Sequence, residues 1–438
     1  MDKDAGMGTE GMDKNGMITQ DVVTEATGSA ARSNGAEPPG GTLFLLNSLC
    51  MGGSEKKIIA VANALTAQGR RVHIAHLAGP ETLRGRIDAR VPVVHLQRSG
   101  KFSLAALGRL CAYVKAMGIR RLVAVNLYPV LYVYLACLRL RPRPAMVALI
   151  NTSDHRSRRD RLFMGLYAPL LRRADQLVFG SAAQQQAWVE AFRLPRSRCQ
   201  TILNGVDTDH FRPALSIPCS SADASAPGVT DPAATRCAAP LVIGTVGALR
   251  AEKAHGDLLQ AAGLLHRKGL AVRVLLVGSG PCEPELRRVA AAQDIDGLVT
   301  FHGQADQVRP LLVQMDVFVM TSVAVETFSN AALEAMACGG CVIMSDIGGA
   351  AEMLVDGHSG LLYPPGDIPA LAALLQRLNG SPLLRQQLGE NARTRVLEHF
   401  SLQRMLSDYR RVVLAEPQAE TTAGAGGRRQ GVAVSWRK

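Results

Sequence analysis

The feature that most restricts the fold is a rhythm that is broken once and then resumes. Short apolar runs alternate with longer amphipathic stretches. Leu43–Leu46, Val72–Leu77, Val93–Leu96, Leu122–Val125, Met146–Ile150 and Gln176–Phe179 read as strands, with helical patterns between most of them. Strands alternating with helices predict a parallel sheet covered on both faces. Residues 213–240 are rich in Ala, Ser, Pro and Asp and almost lack large apolar side chains, so they read as a linker or insertion. A second series follows, with strands Leu241–Val246, Val272–Val277, Val299–Phe301, Val317–Thr321 and Val342–Ser345. The expectation is an α/β chain of two doubly wound, Rossmann-like domains facing across a cleft. In such sheets ligands sit at the carboxyl ends of the strands.

The predicted boundaries are a polar tail at 1–41, a first domain at 42–212, the linker at 213–240 and a second domain at 241–400. A helix at 401–417 is expected to return to the first domain, with Leu402, Met405, Tyr409 and Val412 or Val413 inward. Residues 418–438 form another polar tail. The length of 438 residues fits two or three domains.

Composition excludes several classes. Nine cysteines without a regular framework do not read as a secreted disulfide scaffold. Cys338 and Cys341 form a CxxC, but no second ligand pair accompanies it, and two small residues flanking a Gly-Gly turn is the plainer reading. The first 40 residues hold no apolar leader core. The longest apolar stretch, Leu122–Leu138, carries Asn126 and Pro129 and falls short of the roughly 20 residues of a spanning helix. It divides into a strand and a helix, Val130–Leu140. A cytoplasmic chain is expected.

The net charge of +12 is uneven. Leu43 to Arg212 holds 26 Lys and Arg against 9 Asp and Glu, which leaves the remainder slightly acidic. A basic half fits an anionic partner, such as the inner face of the plasma membrane or a phosphorylated lipid. It fits equally a solvated arginine-rich face. No nucleic-acid-binding module is present.

Four loops carry the chemistry, each after a strand. Gly52 and Gly53 separate a strand from the helix Lys56–Gln68, where glycines and free N–H groups let a phosphate approach the backbone. In the loop Gly247–Lys253, Arg250 and Lys253 stand beside a glycine and suit a diphosphate. Ser329 is a good N-cap for a helix from Asn330 to Ala337, whose start favours an anion. Glu326 precedes that helix and Glu334 lies within it. Asn204-Gly205-Val206-Asp207 reads as a tight turn.

Together these loops resemble the GT-B glycosyltransferases of family four over residues 42–415. The matching elements are Gly52, Gly53 and Glu55; Asn204 to Asp207 with Phe211-Arg212-Pro213; Gly247 to Lys253; and Glu326 to Glu334 running into Ala335–Gly339. Arg172-Arg173-Ala174-Asp175 before a strand also fits. The resemblance implies a retaining transfer from a UDP-, GDP- or ADP-sugar to a glycan or lipid-linked acceptor, in cell-surface polysaccharide or glycolipid synthesis. It implies no metal ion, no other cofactor and no enzymic nucleophile. By the same resemblance Glu334 binds the donor ribose and Glu326 holds sugar hydroxyls. Phe328, Ser329 and Asn330 offer backbone N–H groups, Arg250 and Lys253 stabilise the leaving diphosphate, and Gly52 and Gly53 close on it. His155, or its neighbour Asp154, matches a first-domain histidine near the donor sugar. One departure stands out: many members carry Arg where this chain has Ala248. That residue motivates the alternative of a non-catalytic, nucleotide-sugar- or partner-binding descendant. A nucleotide-sugar epimerase or a glycosyl phosphorylase is a third reading, disfavoured by the order of the loops.

Overall fold

The computed structural model describes residues 40–50, 52–151, 164–213, 240–324 and 326–414. The first domain runs β1 (Gly41–Leu46), α1 (Gly53–Ala67), β2 (Val72–His76), β3 (Val93–His95), α2 (Leu104–Ala116), β4 (Ile119–Val125), α3 (Leu127–Arg139), β5 (Ala145–Ile150), α4 (Ala168–Arg172), β6 (Gln176–Phe179), α5 (Ala182–Phe192) and β7 (Cys199–Thr201). The second runs β8 (Leu241–Val246), α6 (His255–Arg267), β9 (Val272–Val277), α7 (Glu283–Ala292), β10 (Val299–Gly303), α8 (Arg309–Leu312), β11 (Val317–Met320), α9 (Asn330–Ala337), β12 (Cys341–Ser345), α10 (Ala350–Met353), β13 (Leu361–Tyr363), α11 (Ile368–Asn379) and α12 (Pro382–His399). A last helix, α13 (Leu402–Leu414), follows.

Both sheets are parallel, in the orders β3-β2-β1-β4-β5-β6-β7 and β10-β9-β8-β11-β12-β13. In each, the chain winds outward from its first strand, returns past it and winds the other way. A crevice therefore opens between β1 and β4, and another between β8 and β11. The period of two along a strand divides its side chains between two buried faces. Leu43 and Leu45 join one core of the first domain, while Phe44 and Leu46 join the other. Val317 and Val319 split from Phe318 and Met320 in the same way.

The apolar run at 122–138 divides as the sequence predicted, but the helix starts earlier, at Leu127. Pro129 is no obstacle there, because the first turn of a helix has no intrahelical partners for its N–H groups. Cys338 and Cys341 are buried free thiols at the end of α9 and the start of β12. Among the described residues no helix is long and apolar enough to cross a membrane.

Helix α13 packs on the first domain. Met405, Tyr409, Val412 and Val413 lie in one core cluster with Phe44, Leu46, Ile58 and Ile59. The chain thus passes between the domains twice. The two passages touch: Val206 N–H donates to the Phe400 carbonyl and Leu402 N–H to the Val206 carbonyl, both within 2.9 Å. A Cβ on Gly205 would lie 2.5 Å from the Ser401 carbonyl oxygen. Asn204–Asp207 is therefore more than the tight turn its sequence suggests. It is half of a paired crossing, and its glycine permits the close approach.

Candidate functional site

The crevice of the second sheet brings together two loops far apart in sequence, one after β8 and one after β11. They are stitched to each other. Lys253 ion-pairs with Glu326, whose Oε2 also accepts from Ser322 Oγ at 3.3 Å. Thr321 Oγ1 donates to the Lys253 carbonyl at 2.7 Å, and Val323 N–H to the Glu252 carbonyl at 3.1 Å. Ser329 caps α9 by accepting from Ala332 N–H at 3.3 Å. Phe328 is buried edge-on against Phe400, which fixes the backbone just before the cap. Arg250 is exposed, and its guanidinium meets no partner among the described residues. It remains available to an anion.

The first loop rests on glycines. A Cβ on Gly278 would collide with the Gly247 carbonyl, and one on Gly280 with the Leu249 carbonyl. His255 is buried behind the loop, and burial pushes its imidazole down to about 4, with Lys253 adding to the shift. It is therefore neutral near pH 7. Its Nδ1 has no hydrogen-bond partner among the described residues. Ala254, between Lys253 and His255, sits in the left-handed region at φ 46°. That conformation costs an alanine about 1 kcal/mol.

Glu334 lies in α9 with its carboxylate neither hydrogen-bonded nor ion-paired among the described residues. Desolvation pushes it up to about 7, only partly opposed by Lys56 across the cleft. A carboxylate held this way is a perturbed group in a crevice, the usual mark of a ligand-binding acid.

The two domains meet at the starts of α1 and α9. A Cβ on Gly53 would stand 3.1 Å from Asn330 Nδ2. At Gly52 the structure departs from expectation. The Glu55 carboxylate folds back toward the first turn, where a Cβ on Gly52 would strike it. It also accepts from its own backbone N–H. The N–H groups expected to be free at this end of α1 are thus partly covered by the helix's own acid.

Beside this contact runs a polar chain that sequence reading missed. Lys57 Nζ donates to Asn151 Oδ1 at 2.8 Å and Asn204 Oδ1 at 3.1 Å. Asn204 Nδ2 donates onward to the Phe328 carbonyl and to Asn330 Oδ1, each at 2.9 Å. Desolvation lowers the Lys57 ammonium to about 8, with Glu55 opposing. The clue was present in the sequence: Lys57, Val61 and Leu65 share one face at helical spacing, and a lysine on an apolar stripe needs a reason. Glu352 is a second missed residue. It accepts from Ala182 and Ala183 N–H at 2.9 and 2.8 Å, closing the start of α5 with a carboxylate from the other domain.

Of the residues expected from sequence, Arg250, Lys253, Glu326, Phe328, Ser329, Asn330 and Glu334 border one crevice, and Gly52 and Gly53 face it from the other domain. His155 and Asp154 lie outside the described residues.

Two switch-point sheets facing each other across a cleft define the GT-B class. Residues 240–380 match the family described as Glycosyl transferases group 1, and residues 51–210 match Glycosyltransferase Family 4. The chain belongs to this glycosyltransferase family. It is 33% identical over 235 residues to a D-inositol 3-phosphate glycosyltransferase of Thermomonospora curvata, covering 50% of this chain and 52% of that protein. It is 28% identical over 179 residues to the lipopolysaccharide core biosynthesis glycosyltransferase LpsE of Rhizobium meliloti, covering 41% and 51%. These alignments thus span about half of the relatives' length. The fold superposes on the crystal structure of Anabaena HepE in complex with UDP, with a TM-score of 0.71 at 20% identity, over 85% of this chain and 99% of that one.

Proposed function

We propose that this chain is a retaining glycosyltransferase that moves a sugar from a nucleoside-diphosphate donor to a glycan or lipid-linked acceptor in building a cell-surface polysaccharide or glycolipid. The observation that carries the reading is the convergence of free Arg250, the Lys253–Glu326 pair and the capped start of α9 on one crevice. Arg250, Lys253 and the helix start would take up the charge of the departing diphosphate, which removes the need for a metal ion. Glu326, held by Lys253 and Ser322, would accept hydrogen bonds from the donor sugar. Glu334 would bind the ribose. The anomeric carbon–oxygen bond to the diphosphate breaks while the acceptor oxygen attacks from the same face. The acceptor's proton passes to the departing phosphate oxygen. The UDP complex of the HepE neighbour makes UDP-sugars the first donors to try, and the role in LpsE's name supports a polysaccharide-type acceptor.

The chain is proposed to work in the cytoplasm, with its basic first domain against an anionic membrane face. Release from membranes by high salt is the expected behaviour, and retention indifferent to salt would remove electrostatic docking. Ala248, exposed where many members carry Arg, favours one second reading, a binding protein without turnover.

The experiment is a panel of UDP-, GDP- and ADP-sugars with chelator present, following nucleoside diphosphate release by wild type and Glu334→Ala. Release from one donor, lost in the variant, supports the transferase. Nucleotide-induced thermal stabilisation without release from any donor supports the binding protein.

A further inference from the structure

Away from this crevice, His76, Glu81 and His95 gather at the edge of the first sheet. His76 ends β2 and His95 ends β3, and the parallel register sets them side by side. Their rings stack with centroids 4.4 Å apart and planes 14° from parallel. Glu81, from the loop after β2, places Oε1 2.9 Å from His76 Nε2. One ligand atom from each of the three lies within 4.8 Å of the others.

The surroundings of His76 make this more than a surface cluster. Its side chain is 0% exposed. Nδ1 faces the Ala78 carbonyl at 3.5 Å, while Nε2 faces the carboxylate. A neutral imidazole has a single N–H, yet both ring nitrogens look at acceptors. With the N–H directed at the carbonyl, a lone pair meets a carboxylate oxygen, and a proton or a metal ion shared by the two reconciles them. Ligands of one tetrahedral zinc-sized ion, each about 2.0–2.2 Å from it, stand roughly 3.4 Å apart, a spacing within the reach of these three side chains. A ring N–H on a backbone carbonyl is also the usual outer partner of a metal-bound histidine. His95 and Glu81 are exposed, so an ion has a way in.

We propose that His76, Glu81 and His95 form a binding site for a divalent transition metal of the zinc type, with water completing the coordination. The ion would be structural. The segment it grips is laced to the run that leads into Gly52: Leu77 and Ala78 N–H donate to the Leu46 and Asn47 carbonyls, and Leu83 N–H to the Leu49 carbonyl. A metal there braces the first domain's loop facing the cleft, and donor chemistry at the second sheet needs none of it.

The test uses untagged full-length protein stripped with chelator and dialysed. Zn²⁺ is titrated while the melting temperature is followed, and Co²⁺ while visible absorption is followed. The expected result is a saturable Zn²⁺-dependent rise in Tm and a Co²⁺ ligand-field band without sulfur charge transfer. His95→Ala and Glu81→Gln, both at exposed positions, should weaken binding tenfold or more. Cys50→Ser, a control because Cys50 Sγ contacts the Pro80 carbonyl at 3.7 Å, should leave it unchanged. No Zn²⁺ response in wild type would overturn the site and leave a proton between His76 and Glu81. Equal affinity in wild type and His95→Ala, or loss in Cys50→Ser, would overturn it by moving the metal elsewhere.

Discussion

Replacing Glu334 by Gln should stabilise the unliganded protein and damage it as a nucleotide binder. The wild-type carboxyl is raised from 4.5 to about 7 by desolvation. Between those values the folded state holds a proton that the unfolded chain has released, so stability falls as pH rises through the window and levels off above it. A shift of that size corresponds to at most about 3 kcal/mol at pH 8. Part of the Glu334 surface faces the cleft, and solvent there screens the charge, which brings the expectation to roughly 1–2 kcal/mol. Glutamine keeps the shape and has no charge to desolvate. Urea denaturation of both proteins at pH 5 and pH 8 isolates this group, because other titrations cancel in the difference. The advantage of Glu334→Gln should be small at pH 5 and grow by roughly 1–2 kcal/mol at pH 8. In the same variant, UDP should bind about 10–100-fold more weakly, since a hydrogen bond to a charged acceptor contributes about 1.5–3 kcal/mol. An advantage that is flat across the pH range would refute the desolvation argument. Growth with pH but unchanged UDP affinity would refute the ribose assignment alone.

Other expectations follow from the packing. Gly278→Ala should cost about 2–4 kcal/mol and lower turnover, because its Cβ collides with the Gly247 carbonyl at φ +140°. Gly256→Ala, in the first turn of α6 with nothing within 4 Å, should instead gain up to about 1 kcal/mol, and chemical denaturation reads both. Lys57→Met removes the cation that holds Asn204 against Phe328 and Asn330. We expect a several-fold rise in donor KM with unchanged far-UV circular dichroism, and unaltered kinetics would exclude the positioning role.

Much of the architecture was legible because strands buried on both faces read as continuous apolar runs. Leu241–Val246 and Val272–Val277 fall within the strand boundaries read from sequence. The short edge strands β7 and β13 were not anticipated. Three residues each, at the margins of their sheets, carry too little pattern to register. Helices α11 and α12 also went unread, and α12 has almost no amphipathic bias to find. The loops after β8 and β11 were legible as pieces, since Arg250, Lys253, Ser329 and Glu334 carry local chemistry. What the sequence withheld was anything made by two distant segments. Asn204 meets Asn330 across 126 positions, and Glu352 reaches α5 across 170. The stacking of His76 on His95 depends on the register of β2 with β3, which no spacing along the chain announces.

The paired passages at Val206 and Ser401 turn a tether into an axle. A single linker lets two bodies wander. Two strands bound side by side permit turning about the line they share and resist sliding, since a slide must break both Val206 hydrogen bonds together. Any swing of one domain against the other would turn about that line. Asn204, two residues before the bridge, holds Lys57 of the first domain and meets Phe328 and Asn330 of the second, so the polar chain between the domains sits beside the pivot.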